Sequence, residues 1–492
     1  MKIDKKFNNK KVHMSVLALV LFALCLFIAI RIASLIGKED DVAPAAVLST
    51  EAMETESVLQ TEIVIQEESE ISKTESEEPL SLLGQYPEVA KQAEVLALSY
   101  DYESAIALLK EIEGYETDQE LREKINAYEK ERETCEPVNM DEVTHVFYHS
   151  LVVDPRRAFA NQDTDPQAVG NNQWMTTVSE FNKIVQEMYD RGYVIVGIHD
   201  LIEITTDENG VTVYQPAKIM LPKGKKAYVL SQDDLSYYHS YDNYGYAAKM
   251  ILDDKGKPTC EYIQSDGTKV TGDYDVVPLL DKFIEEHPDA SYRGAKGVIA
   301  LTGYNGILGY RTDNSYLYVN DSLNYDKKMW LENNPDFDME KERAEAKKVA
   351  DALKEDGWEF ASHTWGHIKI QDSSLDRVMS DTWKWHENVE PLVGKTDIIV
   401  FAHGQDLGDW GNYGETNEKY QFLKGEGFRI FCNVDQAQYR THFGRDYMRQ
   451  GRRDLDGYRI YRNSEGIEDN LSDLFDAAKI IDPLRPPVPP LR

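Results

Sequence analysis

Two short runs in this chain carry residue types suited to metal and proton chemistry. Ser-Gln-Asp-Asp at 231–234 puts two carboxylates side by side after an apolar run. Ser-His-Thr-Trp-Gly-His at 362–367 puts His363 and His367 four residues apart. On a helix that spacing is one turn, so both imidazoles share a face, as a metal needing two nitrogens near ~2.1 Å requires. The same spacing also fits a histidine pair at a helix start with no metal. Adjacent carboxylates are costly unless a cation or a proton separates their duties, and a turn or helix cap is the other reading of Asp233-Asp234. Each run alone leaves both readings open. Together, at the ends of two strands, they favour a metal site.

The elements that must position these runs read as alternating strands and helices from about residue 138. Strand-like runs cover 143–148, 193–198, 226–231, 296–302, 358–362, 397–402 and 428–433. Helical patterns lie at 177–190, where Thr177 and Glu180 form a capping box, and at about 275–287, 339–355, 373–393 and 416–425. Several helices end in glycine and lead into a strand, the grammar of a parallel α/β fold. Seven such strands favour a distorted (β/α) barrel over a short open sheet. Active sites of such folds gather at the C-terminal ends of the strands. There the sequence sets His149, His199, Asp233-Asp234, His363 and His403. Between about 235 and 337 the alternation breaks. Turn signals at 253–256 and 265–267 predict a β-hairpin insertion, and 303–337 reads as a second, irregular one. Tyr237, Tyr238, Tyr241, Tyr244 and Tyr246 crowd after Asp234. They suit stacking on sugar rings, Tyr237 and Tyr238 first, or an aromatic mini-core under a long loop.

An apolar strand ending in Asp-Asp, followed by a strand ending in Ser-His-Thr-x-x-His, resembles the polysaccharide deacetylases (carbohydrate esterase family 4). VTHVFYHSL at 143–151 and the stretch from Met175 to Leu201 are similar to the opening and first helix of extracellular members. The resemblance spans roughly 140–435. It implies a barrel of about seven strands and a divalent metal, zinc or similar, on Asp234, His363 and His367. It also implies Asp233 as base and an N-acetylated glycan as substrate; a location outside a bacterial membrane would make that glycan peptidoglycan or an exported polysaccharide. Two departures stand out. Where the family carries an arginine that orients the base, this chain reads FAHGQDLGDW at 401–410, without one; His403 or Gln405 is then the substitute. Its late leucine-x-histidine, the source of the general acid, is also missing. His149, His403 and His442 remain as acids. These departures motivate an alternative, a catalytically inactive glycan-binding barrel.

The rest of the chain sets context. A formal net charge of -33 makes nucleic acid an unsuitable partner. Residues 14–36 form an apolar run that reads as a signal-anchor, preceded by Lys2, Lys5, Lys6, Lys10 and Lys11. The positive-inside rule then predicts a bacterial single-pass membrane protein with its catalytic domain extracellular. The predicted organisation is a cytoplasmic stub and anchor over 1–37, a disordered acidic linker over 38–83, and a helical segment over 84–136. A catalytic domain over 138–482, inserted near 235–337, and a disordered proline-rich tail over 483–492 follow. The helical segment resembles one tetratricopeptide unit; a single unit cannot bury its own face, so it reads first as a small helical spacer packed on the next domain, and otherwise as the peptide-binding part of a membrane-anchored scaffold, a third reading. Oligomeric state is not legible.

Overall fold

Proline at a first helical turn forfeits no hydrogen bond, and Pro87 opens α1 (Pro87–Leu98) in this way. Asp101 and Asp118 cap α2 (Tyr102–Lys110) and α3 (Gln119–Glu133), each accepting from a backbone N–H inside its helix. The computed structural model describes residues 81–318, 325–408, 411–435 and 440–491, which fall within one unit, Glu78–Arg492. The buried faces of α1–α3 share an apolar core with Ala227, Val229, Val298, Val400 and Cys432.

The strands follow in order. β1 (Thr144–Tyr148) leads through α4 (Pro166–Trp174) and α5 (Val178–Asp190) to β2 (Tyr193–Ile195) and β3 (Lys226–Asp233). The predicted capping box of Thr177 and Glu180 is present at α5. The predicted hairpins appear as a three-stranded antiparallel sheet of β4 (Ala247–Leu252), β5 (Pro258–Ile263) and β6 (Lys269–Gly272). Their turns place Gly256 and Gly267 at φ 80° and 85°, values a side chain rarely tolerates. Next come α6 (Val276–Glu286), β7 (Val298–Leu301), α7 (Met339–Glu355), β8 (Glu359–Ser362) and α8 (Leu375–Asn388). The chain closes through β9 (Ile398–Val400), α9 (Glu418–Gly425), β10 (Ile430–Val434), β11 (Thr441–Phe443), β12 (Met448–Asp454) and α10 (Gly457–Ser464).

Seven parallel strands close a ring in the order β1, β3, β7, β8, β9, β10, β12 and back to β1. The ring is a barrel, and its membership corrects the sequence reading in two places. β2, read as a ring strand, pairs with the start of β3, at Lys226–Tyr228, and meets Ser291 through an isolated bridge from Ile195. The ring closes above it, where Ser231–Asp233 of β3 pair with Val298–Ala300 of β7. β12 was missed. MRQGRRD has no apolar pattern, yet all seven of its residues are buried, because its long polar side chains are paired. Arg449 meets Asp406, Arg453 meets Asp473 and Arg452 meets Asp233.

The membrane expectation is also corrected. No helix among the described residues is long and apolar enough to cross a membrane, so a single-pass membrane protein is not supported. The expected anchor at 14–36 and the acidic linker as far as residue 80 lie outside the described residues.

The proline-rich tail, expected to be disordered, is instead tied down through 491. Arg485 donates to both carboxylate oxygens of Glu180, at 2.7 and 2.6 Å, with neither side chain exposed. It also donates to the carbonyls of Asn172 and Met175 at the end of α4. Asn172 and Gln173 donate to the carbonyls of Pro486, Pro487, Pro489 and Pro490. Truncating one member of a buried ion pair strands the other charge. Arg485→Met is expected to cost roughly 3–5 kcal/mol, read as a lowered urea midpoint in equilibrium unfolding.

Candidate metal centre and active-site cavity

β3 carries Ser231, Asp233 and, at its end, Asp234. Side chains alternate along a strand, so Ser231 and Asp233 share the inward face. Asp234 leaves the strand with φ 59°, which swings its carboxylate over the barrel mouth. Its N–H still donates to Ala300 of β7, at 3.1 Å.

His363 follows β8. Its Nδ1–H donates to the Val400 carbonyl at 2.9 Å, so its Nε2 lone pair faces the site, the form a metal takes. Burial lowers its pKa against the pull of Asp233 and Asp234. His367 arrives by a turn, which corrects the helical reading of this spacing. Thr364 and His367 have φ 61° and 49°. Asp381 of α8 ties the turn by accepting from Trp365 N and Gly366 N, at 2.7 and 2.9 Å. A Cβ on residue 366 would meet that carboxylate at 2.8 Å, so glycine admits the clamp.

Asp234, His363 and His367 each offer one donor atom, all within 4.8 Å of one another. His363 Nε2 lies 3.9 Å from Asp234 Oδ1, and His367 Nε2 lies 3.7 Å from Asp234 Oδ2. Two imidazoles and a carboxylate are a donor set that fits a divalent ion and leaves positions open. Burial pushes the Asp234 carboxyl up, but His367 and His363 more than offset it and lower its pKa. Tyr238 donates to Asp234 Oδ1 at 2.6 Å and so orients it.

Asp233 Oδ2 is also 3.9 Å from His363 Nε2, but its oxygens are engaged elsewhere. Arg452 reaches across from β12 and donates from Nη1 to Oδ1 at 2.7 Å and from Nη2 to Oδ2 at 2.9 Å. Burial raises this carboxyl, yet Arg452 and then His363 outweigh it and hold it at about 2. A polar relay supports the arginine from below. Gln450 Nε2 donates to Thr441 at 3.2 Å, which turns Gln450 Oε1 toward His145 Nδ1–H, 3.0 Å away. His145 Nε2 then accepts from Ser231, at 2.9 Å, and Ser231 Oγ accepts from Arg452, at 3.1 Å. His403 meets the His367 carbonyl and Gln405 donates to Asp372, so the Asp233 carboxylate is held instead by Arg452 of β12. Its only sequence signal was an arginine pair late in the chain, without the apolar run that marks a strand.

Asp233, Asp234, His363, His367 and Arg452 line one cavity of about 580 Å³, together with His149, Trp174, Met175, Tyr241, Lys369, His403, Asp454 and Arg459. Of the three histidines considered as acid, His149 and His403 are therefore brought to the site. His442 is not; it sits on β11 opposite Arg449 and does not line the cavity. His403 Nε2 lies 3.1 Å from the His367 carbonyl, an atom that only accepts, so its proton is committed there. His199 is far from this arrangement and pairs with Glu359 and Asp397 at the opposite strand ends. The tyrosines divide. Tyr237 is 1% exposed and lies in the main apolar core. Tyr238 holds Asp234, and Tyr241 lines the cavity. Neither Tyr237 nor Tyr238 is among the residues that line this cavity.

No family model and no curated protein matches the chain. Among solved structures, the Streptococcus pyogenes deacetylase PplD in complex with acetate is similar over 65% of this chain and 93% of that one. The identity is 14% and the TM-score 0.32, a likeness too low to carry any inference about this site.

Groups that orient a metal ligand typically change affinity by about 10–100-fold when removed. Tyr238→Phe is expected to weaken divalent-metal binding by about tenfold, measured by competition with a chromophoric chelator. Unchanged affinity would show that the hydroxyl does not orient Asp234.

Proposed function

We propose that the protein is a metal-dependent hydrolase that removes N-acetyl groups from a glycan. The observation that carries this reading is the division of labour between adjacent carboxylates. Asp234 faces two imidazoles, and Asp233 is held by a guanidinium beside them. The motif resemblance over 140–435 points the same way.

A divalent ion on Asp234, His363 and His367 would lower the pKa of a water and polarise an acyl carbonyl. The remaining work falls to the chain. Asp233, fixed by two parallel hydrogen bonds, keeps unused lone pairs with which to align the attacking water and accept its proton. Arg452 keeps that carboxylate ionised and stops it rotating toward the ligands. His403 fixes the His367 backbone. Trp174, Met175 and Tyr241 give the cavity apolar faces suited to a sugar ring, and Lys369 and Arg459 supply donors for its hydroxyls.

The test is acetate release from an N-acetylchitooligosaccharide. Turnover is expected with a divalent metal, to cease with a chelator and to return when metal is restored. Asp233→Asn is expected to lower kcat by about 10²–10⁴-fold, the usual worth of a positioned base. Acetate release that is indifferent to chelation, or none from any N-acetylated glycan with metal bound, contradicts the proposal.

A further inference from the structure

Cleaving an amide leaves a nitrogen that must gain a proton as the C–N bond breaks. Asp233 receives a proton rather than supplying one, and His403 is committed to the His367 carbonyl. The inward face of β12 continues two residues beyond Arg452 to Asp454, which lines the same cavity. Asp454 is 7% exposed, and its Oδ1 is buried with no hydrogen-bond partner among the described residues. Its Oδ2 lies 3.3 Å from Arg459 Nη1, and the same nitrogen lies 2.8 Å from Asp456 Oδ2. The other Asp456 oxygen caps α10, accepting from Arg459 N at 2.6 Å. Two buried carboxyls therefore share one guanidinium. Ionised together they leave a net negative charge out of water, and one proton on the pair neutralises the trio.

The charges around Asp454 agree. Arg459 and Asp456 stand on the α10 side, Arg452 lies on its own strand, and Asp233 and His149 share the cavity with it. Burial pushes Asp454 up to about 6 against the pull of Arg459, Asp456 and Arg452, and Asp233 adds to the rise. Burial, then Asp454, raises Asp456 well above the usual carboxyl range.

We infer that Asp454 is the proton donor to the amine leaving group, with Asp456 and Arg459 keeping a proton available to it. This inference rests on the deacetylase reading above. The water oxygen bonds to the acyl carbon and its proton passes to Asp233. The C–N bond then breaks, its electron pair stays on nitrogen, and nitrogen takes the proton of Asp454. Acetic acid and the free amine leave. Asp233 loses one proton to solvent and Asp454 regains one.

The test uses the full-length, metal-loaded protein and two substrates. An N-acetylchitooligosaccharide has a leaving group that needs a proton, and para-nitrophenyl acetate has one that does not. Asp454→Asn is expected to lose about 10²-fold or more in kcat on the amide and less than about threefold on the ester, with metal content unchanged. In the wild type, the amide rate should fall as pH rises through the donor's titration while the ester rate does not. Equal losses on both substrates, no loss on the amide, or parallel pH profiles overturn the assignment. So does an amide-selective loss that belongs to His149→Asn instead. A wild-type protein that hydrolyses neither substrate overturns the deacetylase reading itself, and is seen before any substitution is made.

Discussion

Arg452 places two parallel hydrogen bonds on the carboxylate of Asp233 inside the barrel, and neither side chain is more than 3% exposed. Taking both ions out of water costs several kcal/mol each, which is regained only with good geometry and further partners. The further partners are present, since Ser231 accepts from the same guanidinium and the relay through His145 and Gln450 fixes Ser231. This one pair binds β12 to β3 across the intervening β1. It also decides which aspartate does what. With both oxygens of Asp233 engaged, Asp234 is the carboxylate left to the imidazoles.

Below this layer the barrel interior is apolar and continuous with the N-terminal helices; above it lies the polar cavity. The candidate ligands reach that cavity through backbone that pays for its shape. Asp234, Thr364 and His367 all sit at positive φ, a conformation that costs of order 1–3 kcal/mol each and persists only where surrounding contacts impose it. The Asp381 clamp on the 364–367 turn and the Tyr238 bond to Asp234 are such contacts. The tail reaches the same cavity from outside, because Arg485 and the proline carbonyls hold the end of α4, and Trp174 and Met175 follow there as wall.

The candidate metal-site residues were legible because type and spacing are local. Asp233-Asp234 and His363/His367 each sit within six residues at a strand end, and the strands that carry them are apolar runs. The path of the chain between the two histidines was not legible, since four-residue spacing reads as a helix while Asp381 and two positive φ values make a turn. β12 was invisible for a different reason. Most of its buried side chains are polar, namely three arginines, a glutamine and an aspartate, and the partners of Arg449 and Arg452 lie 43 and 219 residues away, so hydropathy marks it as surface. Arg452 and Asp454 were lost with it. The tyrosine run was ambiguous from the start, and burial sent Tyr237 to the core, Tyr238 to the metal ligand and Tyr241 to the cavity. The proline tail looked unstructured because its hydrogen bonds come from Asn172, Gln173 and Glu180, more than 300 residues earlier.

The account turns on one ion bound by Asp234 and not by its neighbour. Bound metal per chain, measured by elemental analysis on purified wild type, Asp233→Asn and Asp234→Asn, tests it most directly. The account predicts one divalent ion in the wild type and in Asp233→Asn, and loss of the ion in Asp234→Asn. Equal occupancy in all three, or loss with Asp233→Asn alone, would contradict it.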